Sequence, residues 1–268
     1  MRRPALALGA LAGTVSTLLA HDLFVKLDTY FLRPGASVLI PILNGTFLTS
    51  ENAIEPHRVA DLSLVTPAGR ARLDPGTLRA RGDTTLLPLA LRGAGTYVVG
   101  LSVRPSEIEL SAKEFAQYLR EEAIRDVLAD RDRQGSAGRS VRERYSKHVK
   151  AVFQVGPART ADYAAALGYP AELVPLENPY ALARGDTLPV RCLMDGAPVA
   201  GQPVLVGGQR ADGSRIRRRE LRAGPDGVVR VPLGARGRWY VKFIRMVPDS
   251  AGGVDYESKW ATLTFEVR

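Results

Sequence analysis

Thr85-Leu-Leu-Pro-Leu-Ala-Leu91, Arg92-Gly-Ala-Gly95 and Thr96-Tyr-Val-Val-Gly-Leu-Ser-Val103 form two apolar runs separated by a glycine pair. Each run is short for a helix and rich in strand-forming residues, and Gly93 and Gly95 free the backbone for a tight reversal. The stretch reads as a β-hairpin. The same grammar extends upstream. Leu23, Val25 and Leu27 alternate with Phe24, Lys26 and Asp28, a period of two. Pro34-Gly35 turns the chain into Ser37–Leu43, Asn44-Gly45 closes that run, and Val59–Thr66 ends at Pro67-Ala68-Gly69. Short strands punctuated by Gly and Pro predict a β-sandwich over residues 21–156.

The pattern changes once. Ser111-x-x-Glu114 is a capping box, and Phe115, Tyr118, Leu119, Ala123, Val127 and Leu128 follow at helical spacing. A single helix running to about Asp130 is expected, an insertion of about residues 107–131 whose apolar stripe lies on the first sandwich. Val149, Ala151, Phe153 and Val155 then alternate as a strand returning to that sandwich. Residues 157–175 read as a crossover, with a helical turn at Tyr163–Leu167 stopped by Gly168.

Residues 176–268 read as a second sandwich. Its strands are Thr187–Met194, Pro198–Val206, Arg219–Arg222, Val228–Leu233, Trp239–Met246 and Trp260–Val267, with turns at Asp195-Gly196 and Asp226-Gly227. The runs at 198–204, 226–232 and 237–241 resemble the transthyretin-like or carboxypeptidase-regulatory β-sandwich. That resemblance implies an immunoglobulin-like module without catalysis of its own. The fold class is therefore mainly β: two immunoglobulin-like β-sandwich domains, the first with a helical insertion.

At the N terminus, Met1-Arg2-Arg3, an apolar run from Pro4 to Leu19 and the small Ala20 have the build of a signal peptide, residues 1–20. A cut after Ala20 makes His21 the first residue of an exported, periplasmic protein. Beyond it no apolar run approaches the roughly 20 residues that cross a bilayer, so the processed chain is not expected to span a membrane. The chain of 268 residues carries a formal charge of +9, with only six lysines among 37 basic residues. A basic surface suits nucleic acid or acidic envelope polymers, and export argues against nucleic acid. The single cysteine, Cys192, excludes an internal disulfide and reads as a small core residue.

Most of residues 21–268 is similar to a bacterial family of unknown function whose members are often labelled a periplasmic, nickel-uptake-associated component. The carrying segments are His21-Asp22-Leu23-Phe24, the run Tyr145–Gly156, Leu173–Tyr180 with Gly185-Asp186, and Glu257–Glu266. The resemblance implies a transition-metal role, in nickel uptake or beside a membrane metal transporter. One departure stands out: members of that family often have a histidine before the late methionine, where this chain has Arg245-Met246.

His21 is the candidate metal ligand. An N-terminal histidine offers an α-amine and an imidazole, nitrogen donors that suit Ni(II) or Cu(II). A copper-enzyme brace would need a second histidine, and only His57 and His148 remain; both read as surface or internally satisfied, with Lys147 and Lys150 lowering the proton affinity of His148. Asp255 and Glu257 read as loop carboxylates bonding local backbone or an arginine. Arg215–Arg222 reads as the solvated face of a hairpin, Trp239 and Trp260 as core or sheet-edge aromatics, and Asn44-Gly45-Thr46 as a turn. Nucleophile elbow, phosphate loop, Cys-x-x-Cys and His-Glu-x-x-His are all missing from the sequence. The expected function is a non-enzymatic accessory that binds nickel or copper or assists a metal transporter. The alternative is a metal-independent envelope module that binds a protein or glycan.

Overall fold

The computed structural model describes residues 21–268; the expected signal peptide lies outside the described residues. Strands β1 (Asp22–Val25), β2 (Phe31–Leu32), β3 (Ser37–Gly45), β4 (Val59–Thr66), β5 (Gly69–Arg72), β6 (Arg79–Arg81), β7 (Thr84–Ala90), β8 (Gly95–Val103) and β9 (Ser106–Leu110) lead to helices α1 (Ala112–Glu121) and α2 (Arg125–Arg133). After the helices come the long β10 (Val141–Val155), then β11 (Ala171–Pro175), β12 (Thr187–Met194), β13 (Ala197–Pro198) and β14 (Pro203–Gln209). The chain ends with β15 (Arg215–Arg222), β16 (Val228–Pro232), β17 (Gly237–Pro248) and β18 (Tyr256–Val267). The protein is mainly β, built as two sandwiches.

The sandwiches share one wall. A ten-stranded sheet runs β15-β14-β17-β18-β10-β8-β4-β5, with β2 and β9 also paired to β10. Its seam is the parallel pairing of β10 with β18, from Glu143 opposite Tyr256 to Ala151 opposite Thr264. Side chains alternate across a strand, and neighbours on β10 mark the two faces. Lys147 bonds to the His21 carbonyl, whereas His148 meets Ser102 and the ring of Tyr169. On the Lys147 face lies the sheet β1-β3-β7-β6; on the His148 face lies the sheet of β11, β12, β13 and β16. The main core, including Val25, Ile42, Val99, Val149, Val190, Val241 and Leu263, is continuous through both sandwiches. β11 falls inside the stretch expected to be a crossover; it pairs with β12 from Ala171 to Pro175.

The helical insertion corrects two expectations. The helix is two helices, because Ala123 turns into the left-handed region (φ 59), which brings Glu122 to Lys242. The apolar stripe lies on both sandwiches rather than on the first alone, since Leu110 of β9 and Val141 of β10 share its cluster with residues of β17 and β18. Phe115, Tyr118, Leu119 and Val127 pack with Ile244, Met246, Tyr256 and Trp260 of β17 and β18, and the Tyr118 and Trp260 rings stack 5.6 Å apart. These strand residues form an apolar patch on the Lys147 face that β1 leaves bare, and burying it decides where the helices dock. The capping box is present, with Ser111 accepting from the Glu114 N–H and Glu114 accepting from the Ser111 N–H. Ser111→Ala should therefore cost about 1 kcal/mol, read as a lower midpoint in urea unfolding followed by circular dichroism.

Candidate functional site

His21 directly precedes β1, and Asp22 begins it, where the first sandwich meets the seam of the central sheet. The His21 Nδ1 lies 3.2 Å from Glu51 Oε2, and its carbonyl accepts from the buried Lys147 ammonium. Asp22 Oδ2 sits 2.5 Å from Lys242 Nζ, and the same ammonium is 2.7 Å from Glu122 Oε2. Burial works against the Lys242 charge, yet the carboxylates of Asp22 and Glu122 raise its proton affinity above the ordinary lysine value. Lys147 has no carboxylate in contact; burial pushes it down to about 8, against the weaker pull of Asp22 and Glu143. Two lysines from the sheet thus pin the first residues of β1.

Beside Asp22 opens a groove of about 600 Å³. Phe24, Phe47 and Tyr240 form its floor, with ring centroids 5.1–5.5 Å apart. Tyr240 lies across Gly207, where a Cβ would come 2.6 Å from its hydroxyl. Leu48, Arg215, Arg217, Arg218 and Lys242 complete the lining. The arginines owe their placement to a bulge. Val206 pairs with Arg219 and Gly208 with Ile216, so both Arg217 and Arg218 stand opposite Gly207. A bulge re-aims side chains in this way.

The other histidines do not join His21. His148 projects from the opposite face of the sheet, its Nδ1 2.9 Å from Ser102 Oγ and its Nε2 3.1 Å from Ser146 Oγ. Burial, then the charge of Lys259, pushes its pKa down to about 4; the expected influence of Lys147 and Lys150 is not the cause. His57 is exposed in the turn Pro56–Arg58, and its carbonyl accepts from Arg104 (3.2 Å). Cys192 is buried, with its thiol pushed up to about 12 by burial. Asp255 accepts from the Arg142 N–H at 2.7 Å, a backbone role. Trp239 and Trp260 are core residues, and their indoles donate to the Ala235 carbonyl and Ser258 Oγ.

A divalent transition ion fits the chemistry at His21 in part. Imidazole nitrogen and the Glu51 carboxylate already approach each other, and a cut before residue 21 would add an amine nitrogen. Among the described residues no three His, Cys, Asp or Glu side chains cluster as ligands, so the amine decides whether the set suffices. Sequence reading missed Glu51, Glu122 and Lys242 because they lie 30 to 221 residues from His21 in the chain. It could have found the arginine bulge: Ile216 and Leu221 are five apart, an odd spacing that an unbroken strand cannot turn to one face.

Fold and groove together define a double β-sandwich protein with a basic cleft between β1, the loop after β3, and strands β14, β15 and β17. The chain belongs to the family DUF4198, a domain of unknown function, which matches residues 18–246. No curated protein matches it. Among solved structures, the Salmonella alpha-2-macroglobulin mutant Y1175G aligns at 13% identity and a TM-score of 0.25, covering 91% of this chain and 15% of that one. Trypsin-activated alpha-2-macroglobulin from Escherichia coli gives 11%, 0.24, 93% and 16%. A DUF4785 family protein from Legionella pneumophila gives 13%, 0.24, 80% and 49%. The chain thus spans about 15% of the length of the macroglobulins it matches. No helix among the described residues is long and apolar enough to cross a membrane.

Proposed function

We propose that this is an exported, non-catalytic accessory of the bacterial envelope that holds a nickel or copper ion at its processed N terminus, either for its own role or for a membrane metal transporter. The observation that carries the reading is the approach of His21 Nδ1 to the Glu51 carboxylate, 3.2 Å, at a residue whose carbonyl is tied down by Lys147. With the α-amine freed, His21 supplies two nitrogen donors and Glu51 an oxygen donor, a set suited to Ni(II) or Cu(II). Nickel is the first ion to try, given the resemblance of His21–Phe24 and Tyr145–Gly156 to a nickel-associated family. An oxidative copper site is disfavoured: His148, one of the two further imidazoles, faces away and is held on both nitrogens by serines.

The test is calorimetric titration of Ni(II) and Cu(II) into protein that begins at His21. One ion should bind per chain. His21→Ala should abolish binding, Glu51→Gln should weaken it by about tenfold, and a form with one extra residue before His21 should lose the amine and most of the affinity. Equal binding by wild type and His21→Ala, or none by wild type, overturns the reading.

A further inference from the structure

The groove beside Asp22 has its own chemistry, independent of any metal. Its floor is an aromatic triangle separated from the main core. Phe24 and Phe47 pack with Leu43 and the edge of Tyr240 in a cluster of their own. Phe24 and Phe47 are 1% and 6% exposed, so little of them faces the groove; half-buried Tyr240 and, at the rim, Leu48, 37% exposed, present its open apolar surface. A volume of about 600 Å³ lies within the range of sites that enclose small organic ligands, roughly 300–1,000 Å³.

The charge at the rim is one-sided. Four cations, Arg215, Arg217, Arg218 and Lys242, line the groove against one carboxylate, Asp22. That carboxylate is already paired with Lys242, as is Glu122. Among the described residues Arg215, Arg217 and Arg218 have exposed side chains and form no ion pair, whereas the neighbouring Glu220 is taken by Arg125 from α2. The bulge sets Arg217 and Arg218 at one position opposite Gly207, and Gly207 is where Tyr240 lies. Two guanidinium groups therefore stand over the same end of the aromatic floor. An ordinary solvated edge strand needs neither the doubled arginine nor a cleft beneath it.

We propose that this groove binds a small amphipathic anion: an apolar or aromatic body seated on Tyr240 and Leu48, above the buried Phe24–Phe47 pair, with a carboxylate, sulfonate or phosphate group held by Arg217 and Arg218. Guanidinium donors suit such oxyanions because their planar N–H pairs match two oxygens at once. Tyr240 and Leu48 supply affinity through burial, and the arginines select charge and orientation.

The probe is 1-anilinonaphthalene-8-sulfonate, an aromatic body with one sulfonate, whose fluorescence rises on leaving water. In the presence of a chelator the wild type should bind it at one site per chain, and dodecanoate should displace it. Arg217→Ser/Arg218→Ser should weaken binding by about tenfold, and Leu48→Glu should weaken it comparably by placing a like charge at the rim. Arg230→Ser, an exposed arginine on β16, should bind as wild type does. Raising salt to about 1 M, where the Debye length is about 3 Å, should weaken the wild type but hardly affect the double variant. All three variants change exposed side chains, and unchanged thermal midpoints verify that each is folded. The proposal is overturned if the double variant and Leu48→Glu bind the probe as tightly as wild type, or if dodecanoate fails to displace it. It is equally overturned if the protein binds only anionic phospholipid vesicles through these arginines and not the soluble probes, since the partner is then a membrane surface.

Discussion

Glu172→Ala should lower the free energy of unfolding by about 3–5 kcal/mol, the scale of breaking a buried ion pair from one side. Lys150 on β10 and Glu172 on β11 are each 2% exposed, with Nζ 2.8 Å from Oε1. The same carboxylate accepts from the backbone N–H groups of Leu167 (2.6 Å) and Gly168 (3.1 Å), and Lys150 donates to the Ala165 carbonyl (3.0 Å). One truncation therefore strands a buried ammonium and two backbone donors together. Burial already depresses the Lys150 pKa while Glu172 supports it, so the stranded lysine should lose its proton at lower pH. Urea unfolding of Glu172→Ala, Lys150→Met and the double variant Lys150→Met/Glu172→Leu checks the account. The double variant should recover much of the loss, because two apolar side chains leave no uncompensated charge. Arg142→Ala, which removes an exposed partner of Glu107, should cost far less. Equal losses in Arg142→Ala and Glu172→Ala would contradict the account.

Glu143 and His148, five residues apart on β10, should drive stability in opposite directions as pH changes. Burial pushes the Glu143 carboxyl from 4.5 to about 7, despite hydrogen bonds from Ser258 and Tyr118. The folded chain holds this proton more tightly than the unfolded one, so the contribution is full below 4.5 and is lost as pH rises through 7. His148 works the other way. Its folded pKa falls from 6.5 to about 4 through burial and then Lys259, so its contribution is present above 6.5 and lost as pH falls through 4. Each shift corresponds to roughly 3 kcal/mol. Between about pH 4.5 and 6.5 the two slopes offset each other in the wild type. Relative to wild type, Glu143→Gln should gain stability as pH rises through this window, and His148→Asn should lose it. Denaturant titrations at several pH values give the readout. A variant whose profile runs parallel to wild type removes that residue from the account.

Local chemistry made much of this fold legible. Alternation at Leu23–Leu27 and the capping box at Ser111 are short-range signals, and each marks a real strand or helix start. The turn at Gly93-Ala94-Gly95 is a real reversal but not the expected hairpin, because β7 pairs with β3 and β6 while β8 crosses to the central sheet beside β4 and β10. The break at Ala123 left no such trace in the local sequence, and the partner it gives Glu122, Lys242, is far along the chain. β11 was hidden for a related reason: Pro170-Ala-Glu-Leu-Val-Pro175 is only five paired residues long and carries a charge that becomes buried. At the candidate site, His21 stood out by its place beside an expected cleavage signal. Lys147 and Lys242 are charged residues within strands, and the placement of β1 above them makes them interior. The doubled arginine was readable from spacing, but its aromatic floor is assembled from β1, the loop after β3, and β17.

The parallel seam has a consequence for how the chain must be made. β10 receives β18 along nine paired positions, and Glu143 meets Tyr256 across 112 intervening residues. A polypeptide growing from its N terminus therefore completes one sandwich while an edge of β10 still lacks its neighbour, and β18 is synthesised long after β10. Such an open edge invites wrong pairing, and closure over so long a separation is slow. Assembly of this protein is thus gated by β18, and the nascent chain needs shelter until that strand arrives.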